Sequence, residues 1–217
     1  SPKEIMASKI LSEKVEKVRQ FRLSSKAKTT NGYAKVPQLF AQITQPDDVD
    51  FLIIPSVSSE RRRYVPIGFA TQDIISSNAV QIVPNATLYH FGVLTSNVHM
   101  AWMRAVCGRL KSDYRYSKEI VYNTFPWPKP TEEQKIKIEQ TAQMILNARE
   151  QYSDCSLADM YGEKMYLFPE LVKAHQDNDR AVMQAYGFTK GSEAYKSEAA
   201  CVAELMQRYQ KLCEEQK

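Results

Sequence analysis

Seven glycines in 217 residues, no two of them at G-x-G spacing, leave this chain without the tight turn through which a backbone cradles a bound nucleoside cofactor. The four cysteines, at 107, 155, 201 and 213, contain no C-x-x-C pair. The three histidines, His90, His99 and His175, do not join them at zinc-ligand spacing, which argues against a metal site. Cysteines so sparse suit small buried side chains and a reducing, cytoplasmic compartment. No apolar run approaches the roughly 18 residues of a membrane span. The first ten residues carry charge and no apolar core, so no signal peptide is expected. A hydrophobic content of 43% beside 25% charged residues is that of an ordinary globular chain, and its length allows one or two domains.

What is present is concentrated in two segments. Ser58-Ser59-Glu60-Arg61-Arg62-Arg63-Tyr64-Val65-Pro66 sets three adjacent arginines beside two hydroxyls and a tyrosine. Tyr114-Arg115-Tyr116-Ser117, running into Asn123-Thr124-Phe125-Pro126-Trp127-Pro128, interleaves basic and aromatic residues. Guanidinium forks bind phosphates and the O6/N7 edge of guanine, and aromatic rings stack or wedge. The competing reading is a solvated charged turn and plain core packing. The charge is unevenly spread. Residues 1–130 hold 18 Lys and Arg against 10 Asp and Glu, whereas 131–217 hold 11 against 15. A phosphate-facing surface therefore belongs to the first part.

Periodicity divides the chain near Pro126–Pro130. Residues 4–24 repeat apolar side chains at helical spacing, and 26–35 read as a basic loop around Asn31-Gly32. The β-branched run at 51–57, then 64–69 and 79–84, read as strands, so the arginines sit at a strand–turn–strand junction. Thr95 or Ser96 caps a helix with Val98, Ala101, Trp102, Ala105 and Val106 inward and Gly108 at its end. Trp102 beside His99 reads as a buried indole with a polar neighbour rather than a base-stacking pair. Beyond residue 130 only helices are expected: capping boxes at Thr131/Gln134 and Ser156/Asp159, a helix from Pro169 to Gly187, and a last one starting at Ser197. The fold class is α+β, a mixed module over 1–130 followed by a small helical bundle over 131–217.

The order of several segments carries a resemblance. Tyr89-His90-Phe91-Gly92-Val93-Leu94-Thr95-Ser96 is followed by His99-Met100-Ala101-Trp102, Cys107-Gly108-Arg109-Leu110-Lys111, Asp113-Tyr114-Arg115-Tyr116-Ser117 and Asn123-Thr124-Phe125-Pro126-Trp127-Pro128. With the arginine block upstream, and Leu157-Ala158-Asp159-Met160-Tyr161, Pro169-Glu170-Leu171, Ala174-His175 and Asp179-Arg180-Ala181-Val182 downstream, this series resembles the C-terminal target-recognition region and helical tail of the MmeI-like family. These are large single-chain restriction-modification enzymes and related adenine DNA methyltransferases. The resemblance implies a partner, duplex DNA, and a methyltransferase domain of the same parent chain that holds S-adenosylmethionine. The family's methyltransferase motifs are not found here. Asn123-Thr124-Phe125-Pro126-Trp127 lacks the paired prolines of the Asn/Asp-Pro-Pro-aromatic tetrapeptide. Pro46-Asp47 and Glu133-Gln134-Lys135 lie too far apart for its nuclease motif. No chemistry and no cofactor are therefore expected of these residues. They read as a specificity region that presents a site for base flipping.

The strongest candidates for DNA contact are Arg61, Arg62 and Arg63, followed by Arg115, Tyr114, Tyr116, Lys111 and Arg109. Lys26 and Lys28 are phosphate contacts from their loop, Ser58 and Ser59 are donors to phosphate oxygens, and Arg104 lies on the polar side of its helix. Glu60 reads as an ion-pair partner that orients the arginines. The alternative function is an interaction module that docks the catalytic domain or another subunit without reading DNA. The two differ in whether the basic residues converge or scatter.

Overall fold

The computed structural model describes residues 2–41 and 48–215, and its contacts divide the chain into two compact units, Ser1–Gln45 and Pro46–Lys217. In the first unit the expected helix is broken into α1 (Pro2–Ala7) and α2 (Lys9–Leu23), with Ser8 as the cap of the second. The expected loop is instead a short helix, α3 (Lys28–Gly32), running into a 3-10 turn at Tyr33–Lys35. Asn31-Gly32 forms no turn there because Asn31 Nδ2 caps the Leu23 carbonyl at 2.9 Å, which holds the segment helical. The unit closes on Arg22. Its guanidinium donates to the carbonyls of Tyr33, Val36 and Leu39 at 2.9, 3.0 and 2.8 Å. Pro46-Asp47, one half of the nuclease motif sought in the sequence, lies outside the described residues.

The second unit begins with β1 (Phe51–Pro55), whose Phe51, Leu52 and Ile54 are buried. It lies between β3 (Gly68–Ala70) and β4 (Val80–Pro84), antiparallel to both. A second small antiparallel sheet has β6 (Asp113–Arg115) between β2 (Val57–Ser58) and β5 (Gly108–Leu110). The strand expected over 64–69 is confined to β3, because Tyr64, Val65 and Ile67 are drawn into the core as an irregular segment.

Helix α4 (Leu88–Leu94) was not expected. It is started by His90, whose Nδ1 accepts the Thr87 N–H at 3.1 Å, a residue that ordinary capping patterns do not include. Burial holds the His90 imidazole below its usual pKa, in the neutral form that can accept. Helix α5 (Asn97–Val106) is capped by Ser96, the second of the two caps that the sequence left open, with His99 and Trp102 both buried. It ends at Cys107 rather than Gly108, and Gly108 opens β5. Residues 109–111 are thus part of a hairpin and not a helix end. A π-helical turn at Lys118–Tyr122 follows, and the Trp102 indole donates to the Val121 carbonyl at 3.2 Å.

Among the described residues past 130 there are helices and no strand: α6 (Glu132–Glu150), α7 (Leu157–Met160), α8 (Pro169–Ala185), α9 (Glu193–Lys196) and α10 (Glu198–Glu215). Both expected capping boxes form. Gly187, at φ +76°, ends α8, with Phe188 N–H on the Met183 carbonyl at 2.8 Å and Gly187 N–H on that of Gln184 at 2.9 Å.

The change of character near 126–130 does not interrupt packing. The Tyr186 hydroxyl donates to the Pro126 carbonyl at 2.8 Å, and one core runs from Leu52 to Leu205. Its tightest point is Gly92 of α4. A Cβ there would stand 2.7 Å from Ile138 Cγ2 of α6, so only glycine lets these helices approach. The Gly92 carbonyl is bonded by Asn178 Nδ2 of α8 at 2.8 Å.

A polar network crosses this core. Arg149 donates to the Tyr161 hydroxyl at 2.9 and 2.6 Å and to the Ile67 carbonyl at 2.8 Å. Tyr161 meets His175 Nε2 at 2.6 Å, and burial, with Arg149 and Arg63 nearby, holds His175 well below its usual pKa. The hydroxyl that accepts twice from Arg149 therefore donates its one proton to a neutral imidazole.

Candidate nucleic-acid interface

Between Ser58 and Tyr64 the chain makes a tight turn. The Arg62 N–H donates to the Ser59 carbonyl at 3.1 Å, and the Arg61 N–H reaches the Ser59 hydroxyl at 3.4 Å. Ser59 is thereby used to shape the turn that displays the arginines. Glu60 ties the turn to the β5–β6 hairpin. Its N–H donates to Asp113 Oδ1 at 3.4 Å, and its carboxylate lies 3.7 Å from Arg109 Nη1. Two segments some fifty residues apart in sequence thus form one basic rim, with Arg61, Arg63, Arg109 and Lys111 exposed and Arg62 half-buried; Arg115 is also exposed, but on the opposite face of the hairpin. The Glu60 carboxylate thus faces Arg109 of the hairpin and not the turn arginines expected as its partners; Arg61 pairs with Glu163.

The hairpin sorts its side chains by strand alternation. Tyr114 lies opposite both Ser58 and Arg109, so these three share one face, and Arg115 shares the other with Val57 and Gly108. The Arg109 guanidinium lies 4.1 Å from the centre of the Tyr114 ring and donates to the Ser112 carbonyl at 2.7 Å. Lys111 sits at the hairpin tip with φ +56°, a conformation a lysine adopts only where the turn requires it.

Two candidates from the sequence are placed elsewhere, and a third lies beside the turn with its guanidinium already engaged. Tyr116 is buried, and its hydroxyl meets His99 Nε2 at 3.0 Å, so it is a core residue and not a stacking platform. Burial lowers the His99 pKa to about 3, leaving the imidazole neutral in this pair. Ser58, in β2 of the small sheet, is buried and does not reach a phosphate. Arg104 is bound to Glu198 of α10 at 2.8 Å through both Nε and Nη2, and its Nη1 reaches the Arg63 carbonyl at 3.3 Å. Its donors are thus taken up by Glu198 and the chain at Arg63, although it lines the same cleft as the turn arginines. Tyr114, covered by Arg109, has little ring face left for a base.

Arg61 pairs with Glu163 at 2.8 Å, with both side chains largely exposed, a contact worth at most about 1 kcal/mol and readily exchanged for another anion. A cleft of about 380 Å³ opens beside the turn, lined by Arg61, Arg62, Arg63, Asn97, Arg104 and Glu198. Arg115 does not line it. Lys26 and Lys28 are exposed residues of the first unit. Among the described residues no cluster of His, Cys, Asp and Glu is arranged to hold a metal ion.

Residues 1–129 match the family model described as the MmeI target recognition domain, and residues 130–216 match that of the MmeI C-terminal domain. The chain belongs to the MmeI family. DNA methyltransferase A of Bacillus subtilis (strain 168) is 35% identical over 210 residues, which are 97% of this chain and 23% of that protein. The solved structure of the type IIL restriction-modification enzyme MmeI in complex with DNA is 46% identical and superposes with a TM-score of 0.89, over 99% of this chain and 28% of that one. The chain thus spans about a quarter of the length of these MmeI relatives.

Two features of the site were not read from the sequence. Asp113 reaches back to Glu60, a contact that depends on strand register. Asp179, buried on α8, accepts the Tyr64 hydroxyl proton at 2.7 Å. A signal for the second existed, since His175, Asn178 and Asp179 interrupt the inward stripe of Leu171, Ala174 and Val182. Polar residues on a buried stripe ask for partners.

Proposed function

We propose that this chain recognises a duplex DNA target for a restriction-modification DNA methyltransferase, presenting the site to a methyltransferase domain elsewhere in its parent protein. One observation carries this reading: the arginine turn and the β5–β6 hairpin are joined through Glu60, Asp113 and Arg109 into a single exposed basic rim. Arg61, Arg62, Arg63, Arg109 and Lys111 are its DNA-contacting residues; Arg115, on the other face of the hairpin, and Lys26 and Lys28, exposed in the first unit, are phosphate contacts outside that rim. A phosphate oxygen replaces the Glu163 carboxylate at Arg61, and counterions released from the duplex drive the exchange. Target specificity comes from those guanidinium groups that reach guanine edges, each worth about 1–3 kcal/mol of discrimination. The reaction itself, transfer of a methyl group from S-adenosylmethionine to a flipped adenine, belongs to the methyltransferase domain. These residues hold no cofactor in this scheme. The compartment is the cytoplasm, in keeping with the four free cysteines, and among the described residues no helix is long and apolar enough to cross a membrane.

Binding to duplex DNA across a salt series tests the proposal. With roughly four to six phosphates neutralised, log K falls against log salt with a slope of about −4 to −5. Replacing Arg61, Arg62 and Arg63 together by Ala shallows that slope by about two to three units. Lys173→Ala and Lys190→Ala leave it in place. If the tail substitutions weakened binding as much as the triple replacement, the DNA face would have been assigned wrongly.

A further inference from the structure

The segment leaving the arginine turn is held at four points by helices that come later in the chain. The Arg63 carbonyl accepts from Arg104 at 3.3 Å, and the Tyr64 hydroxyl donates to Asp179 Oδ2 at 2.7 Å. The Val65 N–H points at Met100 Sδ at 3.4 Å, and the Ile67 carbonyl accepts from Arg149 at 2.8 Å. Of these, the Tyr64–Asp179 bond lies nearest the arginines with both partners buried. The second Asp179 oxygen accepts the Asn97 N–H at 2.8 Å, and the Tyr64 ring stacks on His175 at 4.1 Å and 23°. Tyr64 and Asn97 both line the cleft of the arginine turn.

Stability alone gives a poor account of this pair. A carboxylate in the core carries a desolvation cost, and a phenylalanine facing an apolar residue would occupy similar space without it. Burial raises the Asp179 pKa to about 6, against the opposing pull of its bonds to Tyr64 and Asn97 and of the Arg63 charge. What the bond adds is direction. The hydroxyl and the carboxylate fix the angle at which the chain leaves Arg63, at a site where stacking on His175 leaves the ring plane set but not the turn.

We propose that Tyr64 and Asp179 are positioning residues for DNA recognition: their hydrogen bond orders the exit of the arginine turn, so that Arg61, Arg62 and Arg63 meet the duplex in one conformation. This rests on the reading of the turn as the DNA-contacting element. A turn held in one conformation favours the sequences that match it. A turn free to rearrange accepts many sequences through phosphates alone.

The test uses the full chain at low temperature, a random-sequence duplex pool, and the best duplex that the wild-type chain selects from that pool. Tyr64→Phe keeps the ring and its stacking and removes only the hydroxyl. It is expected to reduce the ratio of selected-duplex to pool affinity by roughly five- to ten-fold, the cost of ordering one or two side chains on binding. The pool affinity and its salt slope stay near wild type. Asp179→Asn still accepts the Asn97 N–H and offers its amide to the Tyr64 oxygen, so the ratio recovers to within about two-fold. Asp179→Glu keeps the charge but displaces it, and lowers the ratio as Tyr64→Phe does. A merely structural pair would lower Tm in these variants and leave the ratio alone. An unchanged ratio in both Tyr64→Phe and Asp179→Glu overturns the inference. The triple alanine replacement of Arg61 to Arg63 separates the two levels. If it binds both duplexes like wild type, the reading of the turn falls and the positioning role with it. If it loses binding while Tyr64→Phe does not lose the ratio, only the positioning role falls.

Discussion

Arg149 and Arg61 carry the same guanidinium in opposite settings. Arg149 is 9% exposed, makes three hydrogen bonds to Tyr161 and Ile67, and lies over the rings of Phe91 and Tyr161 at 5.2 and 4.9 Å. The Arg61 side chain is 72% exposed and has one carboxylate, itself exposed, within reach. Each bond of Arg149 replaces one that water made to it, so each of its three nitrogens donates inside the protein. At Arg61 water still surrounds the group, the partner is exchangeable, and the charge remains available to a phosphate. In this molecule the buried cation and the exposed one differ in the company they keep and not in chemistry.

That comparison breaks most readily at its buried end. Arg149→Met keeps much of the stacking and removes the donors, and is expected to cost about 2–4 kcal/mol of stability. For a chain of this size that is about 5–15 °C in Tm, read by thermal melting, with DNA affinity unchanged well below Tm. A variant as stable as wild type would show that the buried charge contributes no more than an apolar side chain of its size.

Acidification sharpens the same contrast. His99, at about 3, and His175, well below its usual value, are held neutral by burial. Their stabilising contribution is present above the unfolded histidine pKa of about 6.5 and is lost as pH falls below it. Asp179 has the opposite sign. Its folded pKa of about 6 lies above its unfolded value, so its contribution grows as pH falls through 6. The two histidines outweigh the one carboxyl, and stability should fall by roughly 2–3 kcal/mol between pH 7 and 5. Urea melts at pH 7, 6 and 5 measure this, and His99→Gln should flatten the dependence. A stability that rose towards pH 5 would mean that the histidines are not kept neutral in the fold.

The smallest effect is expected at the exposed end. Arg61→Ala should change stability by less than about 0.5 kcal/mol, since its pair with Glu163 is solvent-screened, while shallowing the DNA salt slope by about one unit. A stability loss as large as that of Arg149→Met would erase the distinction between the two arginines.

Local chemistry made much of this legible in the sequence. The capping boxes at Thr131 and Ser156, the start of α5 at Thr95 or Ser96, and the glycine end of α8 each depend on a few neighbouring residues, and each formed as read. The β5–β6 hairpin was not visible because its tip places Lys111 at positive φ with no glycine or asparagine to announce the turn. In the site, the arginine turn was readable because three like charges between apolar runs have few other places to go. Tyr116 was misassigned because it leaves β6 into the core against His99, and Ser58 because of its register. Whether a strand residue faces solvent or core is set by pairing with a distant strand, here Ser58 opposite Tyr114, and a single sequence does not display that register.

The bond between Tyr64 and Asp179 has a consequence for synthesis. Its partners are 115 residues apart, and the Glu198 that secures Arg104 behind the turn comes later still. A chain growing on the ribosome displays its three arginines long before the groups that order them exist. Until α8 and α10 have emerged, those arginines are a flexible basic loop with general attraction for nucleic acid and no fixed shape. The order of the turn is therefore acquired only after α8 and α10 have been made, and a product that stopped before them would keep the three charges without the bonds that hold them.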